Sequence, residues 1–96
     1  MKQSYVYIMS NKTNTTLYIG LTSNLERRVA EHKAGKGSGF TSRYNLTKLL
    51  YYERMQGMEN AIKREKQLKN WHREWKWNLI KEQNPELVDL ASDWEH

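Results

Sequence analysis

Apolar and aromatic residues gather in two short runs near the start of the chain, Tyr5-Val6-Tyr7-Ile8-Met9 and Leu17-Tyr18-Ile19, and every residue from Ser10 to Thr16 between them is polar. β-Branched and aromatic runs around a polar stretch predict a β-hairpin. A loop centred on Lys12 and Thr13 would set Tyr7 opposite Tyr18, with both rings on one face of the ladder. Gly20 is expected to end the second strand, and Ser23-Asn24-Leu25-Glu26 has the form of a capping box with Ser23 as the cap. The helix that follows turns Leu25 and Val29 inward and aligns Arg28 and His32, four residues apart, in a neighbouring stripe.

The stretch Ala34 to Tyr44 holds three of the five glycines and predicts a mobile loop rather than a regular element. Its Lys36, Phe40, Arg43 and Tyr44 either close over a phosphate backbone or belong to an ordinary connector. Leu46 to Glu53 predicts a third strand, and the unbroken Leu49-Leu50-Tyr51-Tyr52 implies that it is central or covered on both faces. From Met58 to Asn70 the pattern is helical, with Met58, Ala61, Ile62, Glu65 and Leu68 as the inward stripe. Glu65 is thus a carboxylate on an apolar stripe, where it is paired, protonated or bound to a cation. Lys69, four residues on, offers a surface ion pair, and Glu59 at the helix start complements the dipole. A second helix carries Trp71, Trp75 and Leu79 as packing residues, while Trp77 and Ile80 turn toward the apolar positions of the tail, Leu87, Val88, Leu90 and Trp94. Asn84-Pro85 ends that helix. The expected architecture is one α/β (α+β) domain over residues 1–83 and an acidic tail over 84–96, docked or solvated.

Composition narrows the function. Ninety-six residues supply one core. Without cysteine there is neither a disulfide framework nor a thiolate metal site, and a reducing, cytoplasmic setting is expected. His32, His72 and His96 lie too far apart for a zinc motif, and Gly35, Gly37 and Gly39 follow a helix rather than a strand, unlike a nucleotide-binding loop. No apolar run is long enough to span a bilayer, and the N-terminus shows no leader pattern. Charge is divided unevenly: all 16 Lys and Arg lie at or before Lys81, so residues 1–81 carry a net +10 and the last fifteen −5. A body so basic, with aromatic residues among its charges, attracts polyanions, of which nucleic acid is the abundant one.

Tyr5-Val6-Tyr7, then Tyr18-Ile19-Gly20, with Arg28 ten and His32 fourteen residues after Tyr18, resemble the GIY-YIG nuclease superfamily, and in particular its small stand-alone bacterial members. Tyr5 stands where the family name has glycine. Ala61-Ile62-Lys63-Arg64-Glu65 is similar to the family segment that ends in the metal-binding glutamate. The resemblance implies a three-stranded antiparallel sheet flanked by helices and a metal-dependent endonuclease acting on DNA or RNA. Glu65 would hold one Mg²⁺ or Mn²⁺ and Arg28 would grip the phosphate. Tyr7 or Tyr18 would activate or orient the attacking water, with His32 polarising the tyrosine or relaying its proton. Lys36, Arg43, Tyr44 and Lys63 are the expected nucleic-acid contacts, and a protein partner could supply specificity. Two other readings stay open: a nucleic-acid-binding module that keeps the fold without cleaving, and a protein-interaction domain.

Overall fold

The computed structural model describes residues 3–94; Met1, Lys2, Glu95 and His96 lie outside it, and with them the ends of the expected domain and tail and the His96 considered for zinc. Three strands, β1 (Gln3–Ser10), β2 (Leu17–Thr22) and β3 (Lys48–Gln56), form an antiparallel sheet in the order β2-β1-β3. Four helices accompany it: α1 (Leu25–Lys33), α2 (Gly39–Arg43), α3 (Met58–Asn70) and α4 (Arg73–Gln83). The three-stranded α+β architecture expected from the sequence is present.

β1 is the middle strand, and its unbroken apolar run is covered on both sides. Val6 and Ile8 pack with Ile19, Leu50, Tyr51, Ala61, Leu68 and Ile80 on the α3–α4 face. Tyr7 and Met9 pack with Leu25, Val29, Leu46, Leu49 and Ala91 on the α1 face. β3 is an edge strand, not a central one, but it is covered on both faces, by Leu49 on the α1 side and by Leu50 and Tyr51 on the α3–α4 side, and its continuous burial has a local cause. The register jumps from Ile8↔Tyr51 to Met9↔Leu49, so Leu50 is an extra residue in a β-bulge and joins Tyr51 on one face instead of alternating with it.

The hairpin register differs from expectation by two residues. Asn11 Oδ1 accepts the amides of Thr15 at 2.8 Å and Thr16 at 3.1 Å, while Asn14 takes a positive φ of 58°. The loop therefore centres on Thr13 and Asn14, and Tyr7 pairs with Gly20 while Tyr18 pairs with Met9. A two-residue shift preserves side-chain parity, so the two tyrosines still share a face. Nor does Gly20 end β2, which continues to Thr22. The Thr22 hydroxyl accepts from the Asn24 amide at 3.1 Å, and Asn24, not Ser23, caps α1 by accepting from the Arg27 amide at 3.1 Å.

Two more expectations fail. The glycine-rich stretch contains a regular element, because Ser38 and Thr41 cap each other and start α2. In α3 the bounds agree with the sequence reading, but Met58 and Ile62 are exposed and only Ala61 and Leu68 are buried. Trp75 is likewise more than half exposed, at 53 %, against the edge of Trp71, so the tryptophan stripe packs only at Trp71 and Leu79.

Position of α3 is fixed by charge as well as burial. Arg64 donates to Glu53 of β3 from Nε at 2.9 Å and from Nη2 at 2.8 Å; Glu53 also accepts from the Tyr51 hydroxyl, and Trp71 lies under the guanidinium. After α4, Asn84 is buried and bonds the Leu50 carbonyl, and Leu87 packs on the α3–α4 face. Asp89 pairs with Lys33 and accepts the Leu49 amide at 3.0 Å, while Leu90 and Trp94 pack on the α1 face. Among the described residues no helix is long and apolar enough to cross a membrane.

Candidate active site

The site grows from a missing side chain. Tyr7 sits opposite Gly20, and a Cβ on that glycine would come within 2.6 Å of the Tyr7 hydroxyl and 2.8 Å of Tyr18 Cε2. Glycine is therefore the condition for the ring of Tyr7 to lie across β2 beside Tyr18, with centroids 6.3 Å apart. His32, one turn beyond Arg28 on α1, completes a three-ring cluster at 5.6 Å from Tyr7 and 5.7 Å from Tyr18. Its Nε2 is 2.8 Å from the Tyr7 hydroxyl and its Nδ1 is 3.0 Å from Thr41 Oγ1 on α2. Gly37 lets the chain pass this close: a Cβ there would stand 2.1 Å from His32 Nδ1.

Burial and charge set the protonation states. Burial, reinforced by Tyr18 and Glu65 and opposed by Arg28, pushes the Tyr7 phenol up to about 12. Burial first, and then the charge of Arg28, takes His32 down to about 4 against the weaker pull of Glu31. Both groups are neutral at pH 7. Burial works against the Arg28 guanidinium, but Glu31, 3.0 Å away on the same helix, and the Tyr7 phenol hold its pKa above the usual value. Arg28 remains part-exposed, with its charge beside the phenol.

Glu65 reaches the cluster from α3, close enough for its charge to raise the pKa of Tyr7. Its side chain is only 18 % exposed, and it meets Lys69 at 3.5 Å, a lysine whose own side chain is 53 % exposed. Glu59, the alternative acid, is exposed at the helix start. Tyr7, Tyr18, Arg28, His32 and Glu65 therefore lie together, contributed by β1, β2, α1 and α3.

The expected nucleic-acid contacts divide. Phe40 stacks on Tyr18 at 6.1 Å and meets Tyr44 at 4.9 Å, with Arg43 over the Tyr44 ring, so an exposed aromatic string leads away from the cluster. A cleft of about 280 Å³ lined by Tyr18, Phe40, Lys69 and Lys76 opens beside it. Lys36 is exposed ahead of α2 and Lys63 is exposed on α3. Thr41 and Gly37, which hold His32 from behind, were not singled out by sequence pattern, although the spacing Ser38-Gly39-Phe40-Thr41 is that of a cap.

Comparison with known proteins bears on this arrangement. A family model described as the GIY-YIG catalytic domain matches residues 3–78. UPF0213 protein SH2523 of Staphylococcus haemolyticus is 39 % identical over 82 residues, covering 85 % of this chain and 99 % of its own. A UPF0213 protein of Syntrophus aciditrophicus is 41 % identical over 89 residues, covering 92 % of this chain and 100 % of its own. The solution NMR structure of UPF0213 protein BH0048 from Bacillus halodurans has the same fold, with a TM-score of 0.58 at 24 % identity over 98 % of this chain and 99 % of that one. With the family match spanning both strands of the hairpin, α1 and α3, the chain belongs to the GIY-YIG family, a nuclease superfamily.

Proposed function

We propose that this protein is a divalent-metal-dependent endonuclease that hydrolyses phosphodiester bonds, with DNA as the first substrate to test and RNA the second, and with a role in DNA repair or processing. The observation that carries the reading is the Tyr7–His32 hydrogen bond, flanked by the Arg28 cation on one side and the Glu65 carboxylate on another. Hydrolysis of a phosphodiester needs an activated water and positive charge on the phosphate oxygens, and this set supplies the first and part of the second.

The donor set suits a hydrated hard cation. Glu65 is largely buried and its lysine partner is long and solvated, a pairing worth little. Among the described residues no three potential ligands cluster, which disfavours a closed protein cage and favours Mg²⁺ or Mn²⁺ held by one carboxylate with water in the remaining positions. An ion bound there would polarise the phosphate oxygens and offset developing charge.

The protein's own groups do the rest. Arg28 grips the phosphate with its planar fork. With a pKa of about 12, Tyr7 is a phenol at neutral pH, so it acts by taking a proton from water as it passes its own to His32 Nε2. His32 is depressed first by burial and then by Arg28, and a phosphate on the guanidinium would offset the second cause, which favours transfer of the proton to Nε2. Tyr18 has no hydrogen bond from its hydroxyl among the described residues and is left to orient water or phosphate. Lys36, Arg43, Tyr44 and Lys63 contact flanking nucleotides, and a protein partner adds specificity in a cytoplasmic setting.

Labelled duplex, single-stranded, flapped and junction substrates, as DNA and as RNA, test this directly. Cleavage is expected with Mg²⁺ or Mn²⁺, to stop on adding EDTA and to resume with excess Mg²⁺. Cleavage that survives EDTA would remove the metal from the reading. No cleavage with any ion, together with binding that weakens steeply with salt, would replace it by a non-cleaving nucleic-acid-binding module.

A further inference from the structure

We infer that His32 carries its proton on Nδ1, with Thr41 as the positioning residue that accepts it, so that the Tyr7 proton travels into Nε2. The functional consequence rests on the nuclease reading above; the tautomer itself does not.

Matching donors to acceptors turns on the Tyr7 hydrogen, because the Thr41 hydroxyl can meet His32 Nδ1 as donor or as acceptor. Around the Tyr7 oxygen, Arg28 can only donate, and among the described residues the acceptor bonded to the Tyr7 hydroxyl is His32 Nε2 at 2.8 Å. Nε2 must then present its lone pair, which puts the imidazole proton on Nδ1. That proton meets Thr41 Oγ1 at 3.0 Å. The Thr41 hydroxyl donates onward to the Ser38 carbonyl at 3.1 Å, and its second lone pair is shared by the Ser38 amide at 2.9 Å and the Ser38 hydroxyl at 3.3 Å. The opposite tautomer would turn the Thr41 hydrogen onto Nδ1 and leave the Tyr7 hydrogen without a protein acceptor. Thr41 and His32 are each only 1 % exposed, so water does not readily substitute for either partner.

The hydroxyl therefore does more than cap α2. With Nδ1 protonated, the Tyr7 proton points into His32 and its oxygen keeps its lone pairs for other donors. With Nε2 protonated, the imidazole would occupy one of those lone pairs and could not take the proton. Tyr7, His32 and Thr41 form one hydrogen-bonded chain, in which Thr41 supports the tautomer that the Tyr7 hydrogen requires.

Nitrogen-15 NMR of the His32 ring in the wild-type protein near pH 7 gives the first readout, with a protonated Nδ1 and an unprotonated Nε2 expected. A ring protonated on Nε2 would overturn the inference whether or not the protein cleaves anything. The second readout compares Thr41→Ser and Thr41→Val on a cleaved substrate. Serine keeps the acceptor and is expected to retain kcat within about threefold, whereas valine, of similar shape, is expected to lose about 10- to 100-fold in kcat with KM little changed. Thr41→Val also leaves the Ser38 amide unpaired, so circular dichroism must first show it folded. If it is not folded, Thr41→Ala takes its place in both readouts. A folded variant without the hydroxyl that keeps wild-type kcat and the Nδ1 tautomer would contradict the role. If wild type does not cleave, the nuclease reading fails while the NMR result still decides the tautomer.

Discussion

Tyr7→Phe will lower kcat by about 10²- to 10⁴-fold, the range in which removal of a positioned acid–base group falls. The phenyl ring still fills the space over Gly20 and packs beside Tyr18, so the core on the α1 face is kept. What is lost is the oxygen bonded to His32 Nε2. His32 Nε2 then lacks its partner, at a stability cost of about 1–3 kcal/mol, which urea unfolding will register without abolishing the fold. Tyr18→Phe should cost much less in both measurements, because its hydroxyl bonds to nothing among the described residues. Single-turnover cleavage of one substrate by the two variants checks this. Equal losses would mean that the tyrosines share the role, and a larger loss at Tyr18 would reverse their assignment.

Acid will destabilise the protein well before its carboxylates titrate. His32 has a folded pKa of about 4, set first by burial and then by Arg28, against an ordinary value of 6.5. Between those values the unfolded chain binds a proton that the folded protein excludes, so stability is complete above pH 6.5 and falls as pH drops toward 4. The interval corresponds to roughly 3 kcal/mol in total, of which about 2 kcal/mol is lost by pH 5. Glu53 and Asp89, whose carboxyl groups lie below their ordinary range because hydrogen bonds from Arg64 and Lys33 outweigh the effect of burial, contribute stability that is lost only at lower pH. Urea midpoints measured from pH 7 to pH 5 thus isolate the imidazole. Wild type should lose stability across that range and His32→Gln should stay flatter; a flat wild-type profile would mean that His32 is not held neutral by its surroundings.

Local chemistry made most of the fold readable, and the errors occur where distant or side-chain-to-backbone contacts decide. The bounds of α3 follow from apolar periodicity alone, and the spacing of Arg28 and His32 is internal to α1, so moving the cap from Ser23 to Asn24 changed neither face. Hairpin register depended on Asn11 reaching two amides across the loop, which no period-two pattern encodes. The edge position of β3 was hidden because a bulge at Leu50 produces the same unbroken apolar run as burial in mid-sheet. At the site, the resemblance to the GIY-YIG motifs pointed to the two tyrosines, Arg28, His32 and Glu65, and the helical pattern alone marked Glu65 only as a carboxylate among apolar positions. Glycine count concealed α2 and with it Thr41, since the Ser38–Thr41 cap overrides the flexibility that three glycines suggest.

The proposed role of Glu65, completing a hydrolytic site with Tyr7, Arg28 and His32, is decided by comparing wild type with Glu65→Ala for Mg²⁺- or Mn²⁺-dependent cleavage, with nucleic-acid binding measured on the same samples. Cleavage is expected to be lost while binding is retained. Undiminished cleavage by a folded Glu65→Ala protein would contradict it and move the search for the metal to Glu59.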